Sequence, residues 1–206
     1  MNGILDDIAY FLPKYLSHES TQVLLNELKN FPTDGTKDTI YTSILENEPV
    51  LFQGDGIKEM KIVDLTKEKF GMAPVLLFSN TCDMDIANQR KFPAYISYAP
   101  IFNLEKYING VSTFLSPDEV KSHIESIRKQ RVTQILYLPQ GGKLEYEALV
   151  FLDRIHSVDN TSISREHLKE TRLFTLSNYG LYLFLLKLSI HFTRVQEKVD
   201  RDKGLQ

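Results

Sequence analysis

The segment Pro74-Val75-Leu76-Leu77-Phe78 runs directly into Ser79-Asn80-Thr81-Cys82-Asp83-Met84-Asp85. A short run that is apolar on both faces and stops in small and polar residues reads as a buried strand that hands polar groups to a surface loop. Pro74 and Ser79 bound the run. It predicts that Val75 to Phe78 lies inside a strongly curved antiparallel sheet, with residues 79 to 85 leaving it as a loop.

Other short β-type runs surround it, separated by Gly, Pro or charges: Ile40 to Thr42, Val50 to Phe52, Met60 to Val63, and Ala94 to Ala99, where Pro100 is expected to end the strand. Val132 to Leu138 and Ala148 to Ile155 return to the same pattern. Many short strands in one chain suggest a barrel or a sandwich.

Helical signals flank and interrupt these strands. Residues 4 to 30 read as two short helices, with Leu5, Ile8, Leu12, Tyr15 and Leu16 at helical spacing and Ser17 as a cap for the second. Phe31-Pro32-Thr33-Asp34-Gly35 is a turn and a boundary. Ser116-Pro117-Asp118-Glu119 is a capping box with proline at the first helical position, and Val120, Ile124 and Ile127 form the buried stripe of that helix. A long helix starts near Ser177. Leu181, Phe184, Leu185, Leu188, Phe192, Val195 and Val199 mark one stripe. Tyr182, Leu183, Leu186 and Ile190 mark a second, so the helix is expected to be buried on two sides, against its own core and against the N-terminal helices or another subunit.

The chain has 206 residues, which suits one domain with an elaboration or two very small domains. Its 24 basic and 27 acidic residues leave a net charge of −3, so a nucleic-acid contact has to be a local patch. One cysteine cannot form an internal disulfide, which fits a reducing cytosol. The opening residues lack the basic start of a signal peptide, and Tyr179 to Phe192 is too short and too interrupted to span a bilayer. No membrane contact is expected, and the expected location is cytoplasmic.

Three segments resemble, in order, the MazF/PemK family of small bacterial toxins. Gly54-Asp55 followed by Val63-Asp64-Leu65 is similar to the opening G-D-x-x-x-x-D-L strand. Ala73 to Asn80 is similar to the second strand, R-P-V-L-V-L-S-N-D. Ala148 to Asp159 is similar to the late strand, S-V-V-L-L-D-Q-I-R-T-I-D. The resemblance implies an α+β fold: an SH3-like β-barrel over residues 36–175 with a helix inserted at about 116–131, a helical N-terminal extension over 1–35, and a long C-terminal helix over 176–206. It also implies a family that is often dimeric and cleaves single-stranded RNA without a metal. At the family's catalytic arginine this chain has Ala73, and near its catalytic threonine it has Phe102. Neither can move a proton or hold a phosphorane's charge. The expected function is therefore a degenerate member, acting as a protein-interaction or RNA-binding component of a toxin–antitoxin or phage-defence system. The alternatives are an endoribonuclease with a relocated arginine and a cysteine-dependent enzyme. Expected partners are another protein, a second copy of the chain, or single-stranded RNA; no cofactor is expected.

The candidate catalytic residues are Cys82, Asp83, Asp85, Arg90 and Arg154. Cys82 needs a base and a cation, and its neighbours are carboxylates, so an ordinary half-buried thiol is the simpler reading. Asp83, Asp85 and Asn88 fail the calcium-loop pattern because Ala87 holds the fifth position, and they read more simply as turn caps. Zinc lacks ligands, so no metal is expected. Arg90 and Arg154 are the substitutes for the lost arginine, with His156 and Asp159 beside Arg154 at the strand end. Lys121, Arg128, Lys129 and Arg131 form the candidate RNA patch, with Arg172 and Arg194 as additions, weighed against a solvated helix face.

Overall fold

The computed structural model describes residues 40–193 except 89 and 93, together with 199–200 and 204–205. The expected N-terminal helices, the turn at 31–35 and Arg194 lie outside the described residues. In chain order the elements are β1 (Tyr41–Thr42), β2 (Gly56–Asp64), β3 (Lys69–Leu77), α1 (Thr81–Met84), β4 (Tyr95–Asn103), α2 (Leu104–Val111) and α3 (Pro117–Arg128). There follow β5 (Ile135–Leu138), β6 (Ala148–Phe151), β7 (His156–Asp159), α4 (Leu168–Thr171), β8 (Arg172–Leu176), α5 (Asn178–Thr193), β9 (Val199–Asp200) and β10 (Gly204–Leu205). The fold is α+β. Eight strands form one sheet in the order β1-β8-β2-β3-β4-β6-β5, with β7 also on β4, and every pairing is antiparallel.

The two ends of this sheet approach each other. Tyr41 Oη on β1 donates to Pro139 O just after β5 at 2.7 Å, and Lys143 N–H donates to Leu173 O on β8 at 2.7 Å. The curl encloses the largest apolar cluster, in which Leu76, Phe78, Ala99, Ile101, Leu136, Leu138, Val150 and Phe174 meet Tyr179, Leu183 and Phe184 of α5. The opposite face carries two smaller clusters. One lies under β2, β3, β4 and α4, around Val75, Leu77, Ile96 and Tyr98. The other seats α2 and α3 on β5 and β6 through Leu104, Ile124 and Ile127. Val75 to Leu77 thus feeds two cores by simple alternation, which is why the run is apolar on both sides.

Pro100 does not end its strand. Ser97 accepts from Phe78 N–H and donates to Ser79 Oγ, so its polar backbone groups face β3. By alternation those of Pro100 face the other edge. That edge changes partner there, from β7 at residues 95–98 to β6 at 101–103. The missing N–H therefore costs no ladder bond. Val50 to Phe52 is not a strand either. Its backbone serves a buried arginine instead, since Arg172 Nη2 donates to Val50 O.

Helix α3 carries the capping box read from the sequence: Ser116 Oγ accepts from Glu119 N–H and Glu119 returns a bond to Ser116 N–H. Its other end is a Schellman turn, with Arg131 N–H on Ser126 O and Gln130 N–H on Ile127 O, both at 2.8 Å. Gln130 stands at φ +57° in the position usually given to glycine. Its amide clamps the outer edge of β5, donating to Tyr137 O at 2.6 Å and accepting from Tyr137 N–H at 3.0 Å. Gln130→Ala should cost about 2–3 kcal/mol, because two buried backbone groups lose their partners. Gln130→Gly should cost about 1 kcal/mol less than the alanine, since it relieves the left-handed backbone. Thermal melting and amide exchange at Tyr137 check both.

Helix α5 is rotated relative to the expected stripes. Tyr179, Leu183, Phe184 and Lys187 are its buried residues beside Gly180, while Leu181, Leu185 and Leu188 pack at the margin and Ile190 and Phe192 are exposed. Gly180 permits the contact: a Cβ there would stand 2.2 Å from Ile40 O. Residues 199–200 and 204–205, expected to lie in the long C-terminal helix, instead pair with each other as β9 and β10. No described helix is long and apolar enough to cross a membrane.

Candidate functional site

The exit from β3 is a short helix rather than an open loop. Asn80 caps it by accepting from Cys82 N–H at 2.9 Å. Gln53 N–H donates to Thr81 Oγ1, and the Gln53 amide donates to Phe78 O at 2.8 Å. The far end of α1 is anchored from the β7–α4 connection, where Arg165 donates to Met84 O at 3.0 Å and Asn160 donates to the same carbonyl at 3.3 Å. Sequence reasoning did not single out Asn160 or Arg165.

Of the candidate catalytic residues, Arg90 and Asp83 engage each other, and Asp85, Cys82 and Arg154 have other partners. Arg90 forms an ion pair with Asp83 at the surface. Asp85 caps its own turn, accepting from Ala87 N–H at 2.9 Å. Cys82 is exposed and bonds through its main chain, to Asn80 and from Asn88. Asp83, Asp85 and Arg90 do share a shallow groove with Phe92, Asp159 and Thr161, and neither Cys82 nor Arg154 lines it. Arg154 lies beyond β6 with its guanidinium 4.0 Å from the Phe151 ring centre and 5.3 Å from that of Phe102. Among the described residues, no three His, Cys, Asp or Glu side chains converge as a metal site.

The candidate RNA patch is partly neutralised. Arg128 is held by Glu147 through two bonds, at 2.6 and 3.1 Å, and Tyr137 Oη donates to the same carboxylate. Lys121, Lys129 and Arg131 remain exposed. Arg172 cannot join them, because it is 1% exposed and paired with Asp55, itself fully buried, at 3.0 Å. Its Nη1 also donates to Leu45 O, Glu46 O and Glu48 O at 2.9–3.1 Å. Asp55 accepts further from Phe52 N–H and from Thr175 Oγ1. Burial drives the Asp55 carboxyl upward, and the Arg172 guanidinium is the largest of the groups pulling it back. This arginine organises the 45–52 loop; the sequence signal was only an Asp after Gly54 and an isolated Arg at a strand start.

A cleft of about 620 Å³ lies elsewhere, over Ala73. Lys58, Glu59, Met72 and Pro74 form one side, and Lys143, Leu144, Glu145, Tyr146, Glu170 and Leu173 the other. Lys58 and Glu59 enter it because a bulge in β2 sets Ile57 opposite Val75 and Met60 opposite Ala73. Phe102 is not among its lining residues; it packs edge-on against Phe151, ring centres 5.4 Å apart.

No protein-family model matches the chain, and no curated protein matches it.

Proposed function

We propose that the chain is a divergent MazF/PemK-like, SH3-like barrel without the toxin chemistry, serving as an interaction component of a bacterial toxin–antitoxin or phage-defence system in the cytoplasm. The curl of the antiparallel sheet, with its ends bonded through Tyr41 and Lys143, supports the barrel reading. The observation that carries the functional reading is the dispersal of the chemistry. Arg90 is paired with Asp83, Arg154 is stacked on Phe151, Cys82 is exposed and bonds through its main chain to the Asn80 and Asn88 side chains, and Ala73 lines the cleft. General acid–base catalysis needs such groups within hydrogen-bond reach of one reacting centre.

An interaction role is favoured over RNA binding by two features. Glu147 neutralises Arg128 in the basic patch, and the β2–β3 ribbon exposes Phe70, Met72 and Leu65. The endoribonuclease reading keeps one observation, the presence of Lys58 and Lys143 in the cleft over Ala73. Incubation of clean protein with labelled single-stranded RNA, with and without EDTA, separates the two. The expected result is no cleavage above background by the native chain and none by Ala73→Arg, because Phe102 still stands in the threonine's place. Specific, EDTA-resistant cleavage lost on Lys58→Ala or Lys143→Ala would overturn the proposal.

A further inference from the structure

Strand β3 sends its backbone polar groups to alternate sides. Leu77 donates to Asp55 O and accepts from Gly54 N–H on the β2 side, while Phe78 donates to Ser97 O on the β4 side. Phe70, Met72 and Pro74 therefore turn their polar backbone groups toward the β4 side. β4 covers that edge only at Val75–Leu77 and then follows β6 away. Phe70 and Met72 are left as an open strand edge, with no hydrogen-bond partner among the described residues. The other edge of the ribbon is treated differently: Tyr98 Oη donates to Lys61 O at 2.6 Å, and His156 Nε2 sits 3.1 and 3.0 Å from Val63 N and O.

The side chains along the open edge continue the core stripe outward. Phe70, Met72 and Pro74 share the face of Leu76 and Phe78, and Phe70 and Met72 are 84% and 57% exposed. The large cleft borders Met72 and Pro74 and is walled opposite by Leu144, Tyr146 and Leu173. Its rim holds Glu59, Glu145 and Glu170 against Lys58 and Lys143. Lys143 is already engaged by Lys169 O and lies 3.9 Å from Glu46. The charge left for a ligand is negative.

We propose that the cleft binds an extended peptide segment as an added strand on β3, with apolar side chains at alternate positions against Met72, Pro74 and Leu173 and a basic residue toward Glu59, Glu145 and Glu170. Main-chain bonds to Phe70 and Met72 supply register, and the apolar stripe and acidic rim supply selectivity. A cleft of about 620 Å³ suits one short extended chain rather than a second folded ribbon. The proposal rests on the interaction reading above and names its partner class.

The test is selection of displayed random seven-residue peptides on the full chain, followed by fluorescence anisotropy with the enriched sequence made synthetically. Alternating aliphatic residues with at least one Lys or Arg are expected. N-methylation of alternate peptide amides should weaken binding at least tenfold, as should Met72→Pro, which removes an edge N–H. Glu145→Lys with Glu170→Lys should weaken it at least fivefold. Melting curves show whether each variant is folded, and the N-methylated peptide tests the edge without altering the protein. Peptides that bind but ignore both N-methylation and Met72→Pro would overturn the added strand and leave the interaction reading standing. Failure to enrich any peptide overturns the proposal, and together with specific RNA cleavage it removes the interaction reading as well. A concentration-dependent dimer abolished by Met72→Pro, without peptide binding, would make a second copy the occupant and also overturn it.

Discussion

Arg172→Met should lower the unfolding free energy by roughly 3–5 kcal/mol, the usual cost of breaking a buried ion pair from one side. The substitution would leave the Asp55 carboxyl enclosed without its counter-charge, and would strip the carbonyls of Leu45, Glu46, Glu48 and Val50 of their shared donor. Leu51, buried in the second core, and the Phe52 N–H bond to Asp55 still pin the far end of the loop, so amide exchange at residues 45–50 should rise before global unfolding. Pairing the change with Asp55→Leu should recover part of the loss, because no buried charge then remains. Urea denaturation of the two single variants and the double variant measures the cycle. A single-variant cost below about 1 kcal/mol would show that water replaces the guanidinium, contrary to the enclosure described.

A second large effect concerns pH. Lys187 is buried on α5, and its ammonium donates to Gln130 O at 2.7 Å and Val132 O at 2.9 Å, with no carboxylate partner among the described residues. Burial pushes the lysine down to about 8 from its ordinary value. The unfolded chain keeps this proton to about pH 10.4, so between pH 8 and 10 the unfolded state binds more protons than the native state. Stability should therefore rise with pH across that window, by roughly 2 kcal/mol between pH 7.5 and 9.5. Above pH 10 the trend should reverse. Burial holds the Tyr41 and Tyr137 hydroxyls well above the ordinary tyrosine range, so their protons stay on in the native state and leave in the unfolded one. Chemical denaturation from pH 7 to 11 should show a maximum near pH 10, and Lys187→Met should remove the rise below it. A native curve that is flat or falling from pH 7.5 to 9.5 would mean that the ammonium is solvated.

Much of the local structure was legible in the residues. The strand at Val75 to Phe78, the capping box at Ser116, the stripe of α3 and the start of α5 near Ser177 are all signalled by residue patterns within a short stretch of chain. Those signals survive in the fold because nothing distant opposes them. The errors have a common cause. Pro100 breaks a strand only if its N–H was needed, and that depends on where β7 gives way to β6. Val50 to Phe52 has a strand's composition, yet Arg172, more than a hundred residues later, claims its backbone. The phase of α5 was set by the approach of Gly180 to Ile40 and by the two carbonyls that receive Lys187, not by the apolar pattern alone.

The same division holds for the candidate site. The sequence by itself determined that the chain is α+β, that positions 73 and 102 hold apolar residues with no acid, base or cation, and that Cys82, Asp83, Asp85 and Arg90 lie close along the chain after β3. These are properties of residue type and of short separations along the chain. Only the tertiary structure decided that Arg154 does not line the groove that holds Arg90, that Glu147 occupies Arg128, that Arg172 is enclosed with Asp55, and that among the described residues β3 keeps an open edge beside an acidic-rimmed cleft. Each of those depends on which strand lies next to which, and on charges brought together across long stretches of chain, where solvent exclusion and hydrogen-bond geometry set the outcome.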